Sequence, residues 1–172
     1  MTKYVFNSSS YLEFCPISDC LKQLINNEYP VFICLGSALA AGDDLGPKIG
    51  YNLDLKLKGK CYVYGTLNAT ITAKEANIVS SLIKTLHPKS NIIAIDAAVG
   101  NVEDIGLVKI FNDGIKPGLG INKNLDKIGD VSIIAIIGEK EKFNSTSFSA
   151  VDKLFIERLS YLISNSIINV II

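Results

Sequence analysis

The chain has 172 residues, 48% of them hydrophobic, which suits one domain with a core of two or more layers. Lysine plus arginine and aspartate plus glutamate stand at 17 each, with no basic arm or block. That excludes phosphate neutralisation as the main basis of action and argues against nucleic acid as a partner.

Four cysteines, Cys15, Cys20, Cys34 and Cys61, form no Cys-x-x-Cys pair. A disulfide framework is not expected in a chain with this much core, and a reducing, cytoplasmic setting is the natural expectation. Residues 1–16 read as a polar arm without the apolar stretch of a signal peptide. Pro16 to about Asn27 carries Ile17, Cys20, Leu21, Leu24 and Ile25 at helical spacing, with Pro16 suited to the first turn. Pro30 leads into a strand over 31–35. Gly46-Pro47 opens a helix to about Lys58, with Ile49, Leu53 and Leu57 on one face and Gly59 as its stop.

A second strand covers Cys61 to Tyr64. Thr72 or Ala73 opens a helix built on Ala76, Val79, Leu82, Ile83 and Leu86, and Pro88 closes it. A third strand, Asn91-Ile-Ile-Ala-Ile-Asp96, follows. Strands alternating with helices predict a parallel sheet with right-handed crossovers. The second half reads differently: a strand over 106–111, a Gly/Pro/Asn-rich loop over 112–122, and an apolar central strand over 131–137. A last helix is expected from a Ser147 or Ser149 cap to about Asn165. The apolar Ile167–Ile172 end is preceded by Asp152, Lys153, Glu157 and Arg158. Too few apolar residues remain for a membrane span, so a buried terminus or a contact in a homo-oligomer is expected. The expected whole is a single α/β domain over 1–172, a three-layer sandwich whose mixed, mostly parallel sheet carries helices on both faces.

Asp43 and Asp96 stand out against this frame. Each lies just past a hydrophobic strand, where ligands collect in open α/β sheets. If the strand order begins 2-1-3, the first and third strands are neighbours and a crevice opens between their carboxyl ends. Both carboxylates then line it. Two close carboxylates cannot both ionise easily, which supplies one acid and one base. The alternatives are structural. An aspartate before Leu-Gly-Pro is a good helix cap, a role that suits Asp44, and Asp96 has the backbone N–H groups of the next turn within reach.

Gly36, Gly42 and Gly46 match neither a dinucleotide nor a phosphate-loop pattern. Gly36, Ser37, Asp44, Thr66, Asn68, Gly100 and Asn122 are expected around the crevice on the substrate side. Thr66 and Asn68 read equally well as a turn. His87, beside Pro88, reads as a helix-end residue. No cofactor is expected.

Gly42-Asp-Asp-Leu-Gly-Pro47, Val63-Tyr-Gly-Thr-Leu67, Ile92-Ile-Ala-Ile-Asp-Ala97 and Lys116-Pro-Gly-Leu-Gly-Ile-Asn-Lys123 occur in one order over roughly residues 30–140. In this the chain resembles the YyaC family of sporulation proteins, regarded as spore proteases. That family is distantly related to the germination protease and the hydrogenase-maturation peptidases. The resemblance implies the peptidase sandwich, catalytic roles for Asp43 and Asp96, a protein substrate such as a small spore protein, and a forespore or spore-core location. In the hydrogenase-maturation peptidases, two matching carboxylates and a histidine hold a metal. Here the only histidine, His87, precedes the third strand and is expected at the opposite edge of the sheet, and no metal site is expected. Ser37-Ala-Leu-Ala-Ala41 lacks a charged pair common in the family, and Ala98 stands where a cysteine is common. Two readings therefore remain, a peptidase and a catalytically silent binding or scaffold protein on the same fold. A small-ligand binder of flavodoxin type is a third.

Overall fold

A computed structural model of the chain describes residues 3–9, 14–26, 29–39, 42–116, 126–140 and 152–172. The elements are β1 (Lys3–Asn7), α1 (Phe14–Leu24), β2 (Val31–Cys34), α2 (Leu45–Lys56), β3 (Tyr62–Tyr64), α3 (Ala76–Leu86), β4 (Ile92–Gly100), β5 (Leu107–Phe111), β6 (Val131–Glu139) and α4 (Lys153–Ile171). A short 3-10 turn over Val102–Asp104 joins β4 to β5.

The six strands form one sheet in the order β1-β5-β6-β4-β2-β3. β3, β2, β4 and β6 run parallel, while β5 and β1 are antiparallel additions at one edge. The segment β3-β2-β4 is the 2-1-3 order that the crevice requires. Lys3–Asn7 is not a free arm. It is an edge strand paired with β5 from Lys3↔Phe111 to Asn7↔Leu107. Its alternating exposure shows one face of the strand turned partly inward. Composition hid it because an edge strand buries little.

Strand alternation divides the core into two layers. Phe32, Cys34, Ile93, Ile95, Ile133 and Ala135 pack on the face covered by α1, α2 and α4. Val31, Ile33, Leu35, Ile92 and Ala94 pack on the face covered by α3 through Ala76 and Ile83. Asp96 continues the Ile92, Ala94 alternation and so belongs to the α3 face.

The last helix differs from its expected bounds. Asp152 caps it, its side chain accepting from the Leu154 N–H at 2.9 Å, and the helix continues to Ile171. Ser147 and Ser149 lie outside the described residues. By length and composition α4 could cross a membrane. Here its Ile156, Leu159, Ile163 and Ile167 are packed into the core with α1 and α2. The described cysteines are all free thiols.

Candidate functional site

The β2–β4 register sets the site. Val31↔Ile92 through Cys34↔Ile95 are paired, and the Leu35 N–H donates to the Ile95 carbonyl at 2.8 Å. Asp96 is the next residue, level with the end of β2. The chain leaves β2 toward β3 on one side, whereas β4 faces β6 on the other. The order reverses between them, and the crevice of an open α/β sheet lies at such a point.

The β2–α2 loop brings Asp43 to the same place. Gly36 donates its N–H to the Ile71 carbonyl, and the Ser37 N–H donates to the Asp43 backbone carbonyl at 3.1 Å. Gly36 has φ +138°, and a Cβ built there would lie 2.0 Å from the Asp43 carbonyl oxygen. Only glycine allows the loop to close this tightly. At the other end, a Cβ on Gly46 would lie 2.0 Å from the Leu35 carbonyl oxygen, so α2 starts in direct contact with the end of β2.

Asp96 is partly buried at the top of β4. It still touches solvent, but protein surrounds it closely enough that lost hydration is the main cause of its raised pKa. That loss, and then the negative charge of Asp43, push it up to about 7, against a smaller opposing effect of the Ala97 N–H. That N–H donates to Asp96 Oδ1 at 2.9 Å. Asp43 is also raised, first by desolvation and least by Asp44, while the Ser37 backbone N–H works the other way. The two carboxyls are thus unequal. Asp96 is the one that keeps a proton near neutrality, so Asp43 faces a neutral partner and carries the charge.

Asp44 neither caps α2 nor faces solvent. It has helical dihedrals (φ −80°, ψ −1°), and its side chain makes no bond to the first turn. Its Oδ1 accepts from the Gly42 N–H at 3.1 Å, and its Oδ2 lies 3.0 Å from Lys48 Nζ. Lys48 also pairs with Glu157 of α4. Glu157, Lys48, Asp44 and Gly42 form a brace that holds the peptide just before Asp43. The Asp44–Lys48 step is legible as an i,i+4 pair, but Glu157 lies too far along the chain for any local signal.

The other expected residues divide. Gly36 and Ser37 shape the Asp43 loop as just described. Thr66 and Ala69 exchange two backbone hydrogen bonds of 3.0 and 3.1 Å, which puts Asn68 exposed at the corner of a tight turn. This turn follows β3, two strands and about 10 Å across the sheet from β4. Gly100 ends β4, four residues and about 13 Å beyond Asp96. Neither Asn68 nor Gly100 joins the two carboxyls directly. Asn122 lies outside the described residues.

His87 ends α3, accepts or donates a 2.7 Å bond with the Tyr64 hydroxyl, and packs on Tyr62 with ring centroids 4.1 Å apart. It is at the β3 edge, before β4 begins, and cannot join Asp96 at the far end of that strand. Among the described residues no three His, Cys, Asp or Glu side chains converge. The donor set does not fit a metal held by two carboxylates and a histidine. An open apolar groove of about 610 Å³ between Phe14 of α1 and Leu162, Ile168 and Ile172 of α4 lies on the helical layer opposite α3. It contains no part of the carboxyl pair.

The family whose pattern matches residues 5–166 is described as "Protein of unknown function (DUF1256)". The chain belongs to this family. Over 107 residues it is 35% identical to the uncharacterized protein YyaC of Bacillus subtilis (strain 168), a stretch that is 62% of this chain and 52% of that one. The chain thus spans about half the length of this curated relative. Among solved structures it is similar to the [NiFe] hydrogenase maturation protease HycI from Thermococcus kodakarensis KOD1. That match has a TM-score of 0.52 and 16% identity, and covers 87% of this chain and 99% of HycI. At that identity the likeness shows the fold, which is the α/β sandwich expected above.

Proposed function

We propose that this DUF1256 protein is a peptidase that hydrolyses protein substrates with Asp43 as base and Asp96 as acid. The observation that carries the reading is Asp96, a strand-end carboxyl whose pKa is pushed up to about 7 by burial and by the Asp43 charge. A protonated and an ionised carboxyl side by side are what amide hydrolysis at neutral pH needs. Asp43 removes a proton from water as the water oxygen bonds to the amide carbon. Asp96 gives its proton to the amide nitrogen as the C–N bond breaks. One proton passing from Asp43 to Asp96 then restores the pair. The likeness in fold to a maturation protease supports the assignment, and the YyaC relationship points to small spore proteins as substrates and to the sporulating cell as the setting.

The test is a comparison of peptide termini by mass spectrometry. Bacillus subtilis spore protein extract is incubated with the unmutated protein, with Asp43→Asn and with Asp96→Asn. New termini are expected with the unmutated protein alone. Identical spectra from all three folded proteins, between pH 5 and 8, would refute the peptidase reading.

One observation favours a second reading, a binding protein without turnover. Leu39, on the loop that carries Asp43, is 98% exposed, an apolar side chain offered to solvent. Under that reading Leu39→Ser weakens partner binding, and the two Asp→Asn variants leave it unchanged.

A further inference from the structure

β4 is longer than its neighbour. It pairs with β2 over Ile92–Ile95 only, whereas its pairing with β6 continues from Ile93 to Gly100↔Glu139. The last bond on the β2 side is the Leu35 N–H to the Ile95 carbonyl. After Leu35 the chain turns away, and Gly36 donates instead to the Ile71 carbonyl on the β3 side. Beyond Asp96, then, β4 is held on one side only. Among the described residues no strand or isolated bridge pairs with the β2-facing edge of Ala97–Gly100. The Ala97 N–H is taken by its neighbour Asp96, and alternation turns the Ala97 carbonyl and the Val99 N–H and carbonyl to this edge, where no backbone group among the described residues pairs with them. The four residues are half-buried, and the slot is the position beside them where β2 would continue.

An unpaired strand edge recruits another extended chain unless something blocks it. The usual blocks are absent: Ala97, Ala98, Val99 and Gly100 include no proline and no charge. The irregularity between Ala98 and Val99 falls on the β6 ladder and twists the edge. It leaves the small side chains beside the slot unchanged. The slot starts at Asp96 itself, so a strand entering it would carry its backbone amides past the carboxyl pair.

We propose that the β2-facing edge of β4, from Ala97 to Gly100, receives an extended polypeptide segment as an added strand in the place that β2 vacates. The ligand class is unfolded or extended polypeptide, recognised through its backbone N–H and C=O groups, with side-chain selection secondary. The inference rests on the peptidase reading and names the form of its substrate. An unfolded segment fits the slot, and a folded surface does not.

The probe is the soluble peptide Lys-Thr-Val-Thr-Val-Thr-Val-Lys, offered to the unmutated protein and to Asp43→Asn. Two further peptides carry N-methyl groups on alternate residues, one in each register. Hydrogen exchange at the Val99 amide, which alternation turns to the β2 side, is expected to slow at least 10-fold when the unmethylated peptide binds, while the Ala98 and Gly100 amides, turned to β6, stay as they are. One methylated register is expected to bind roughly 5-fold more weakly per bond removed, and the other about as well as the parent. No binding, binding without protection of the Val99 amide, or equal affinity for all three peptides would each overturn the proposal. Protection in the free protein equal to that in the complex would show the edge to be closed by the chain itself, and also overturns it. Cleavage of spore proteins without protection at this edge would defeat the proposal and leave the peptidase reading standing. Protection without cleavage would do the reverse.

Discussion

Asp96 makes stability depend on pH in a direction opposite to the usual aspartate. Its carboxyl is raised from an ordinary 3.8 to about 7 in the folded chain. Between these values the native state holds a proton that the unfolded chain has released. Stability from this group is therefore complete below about pH 4, declines as pH rises, and levels off above about pH 7. A difference of about 3 pKa units corresponds to about 4 kcal/mol at 1.36 kcal/mol per unit. The carboxyl keeps some solvent contact, so about 4 kcal/mol is an upper bound. Asp96→Asn keeps the shape and removes the titration. The variant is expected to match the parent at pH 4 and to exceed it by about 2–4 kcal/mol at pH 8. Urea unfolding of both proteins at pH 4, 6 and 8 measures this directly, and subtracting one from the other removes every titrating group not coupled to Asp96. A gap that stays constant from pH 4 to 8 would refute a buried, proton-holding Asp96, and with it the acid in the proposed mechanism.

Four further outcomes follow from the same geometry. Asp43→Asn and Asp96→Asn are each expected to lower cleavage by at least about 100-fold, while Asp44→Asn, whose amide oxygen still accepts from Gly42, loses less than about 10-fold. The new-terminus assay separates them. The rate of the unmutated protein should fall above about pH 7 as Asp96 loses its proton, and should fall on the acid side at a pH above 3.8, where the raised Asp43 gains one. A rate that keeps rising to pH 9 contradicts this. Lys48→Met is expected to cost about 1–3 kcal/mol in urea unfolding, because it leaves the Asp44 carboxylate, 19% exposed, without its cation. It should also lower the Asp96 pKa seen by carbon NMR as Asp43 loses its brace, and Lys48→Arg should restore both. Gly36→Ala, whose Cβ meets the Asp43 carbonyl at 2.0 Å, is expected to destabilise by at least about 2 kcal/mol. Retained stability there would mean that the Asp43 loop is looser than its contacts indicate.

The apolar periods in the sequence determined most of the elements. Helices over Ile17–Leu24, Ile49–Leu53 and Ala76–Ile83, and strands over 31–35, 91–96 and 131–137, are legible because one buried face needs a period of 3.6 or 2. The two strand-end aspartates are legible for the same reason: a carboxyl closing an apolar run is chemically out of place. Other features needed partners that sequence distance conceals. Lys3–Asn7 became a strand because β5 offered it an edge, and its short alternation, with Tyr4 and Phe6 turned to the core, is too brief to stand out without that partner. Asp44 turned from a helix cap into a brace because Glu157, more than a hundred residues later, helps hold Lys48. His87 was excluded from the site by the length of β4, which separates the two ends of the sheet.

The relation between Asp43 and Asp96 is likewise a tertiary decision. Sequence places each carboxyl after its own strand. Only the pairing of Cys34 with Ile95 sets the two strand ends level, and only the Gly36 contact folds the loop back so that one carboxylate's charge reaches the other. A strand's period specifies which face a residue takes, but its level along the sheet depends on the register with a neighbour. That register is fixed by packing between segments far apart in the chain.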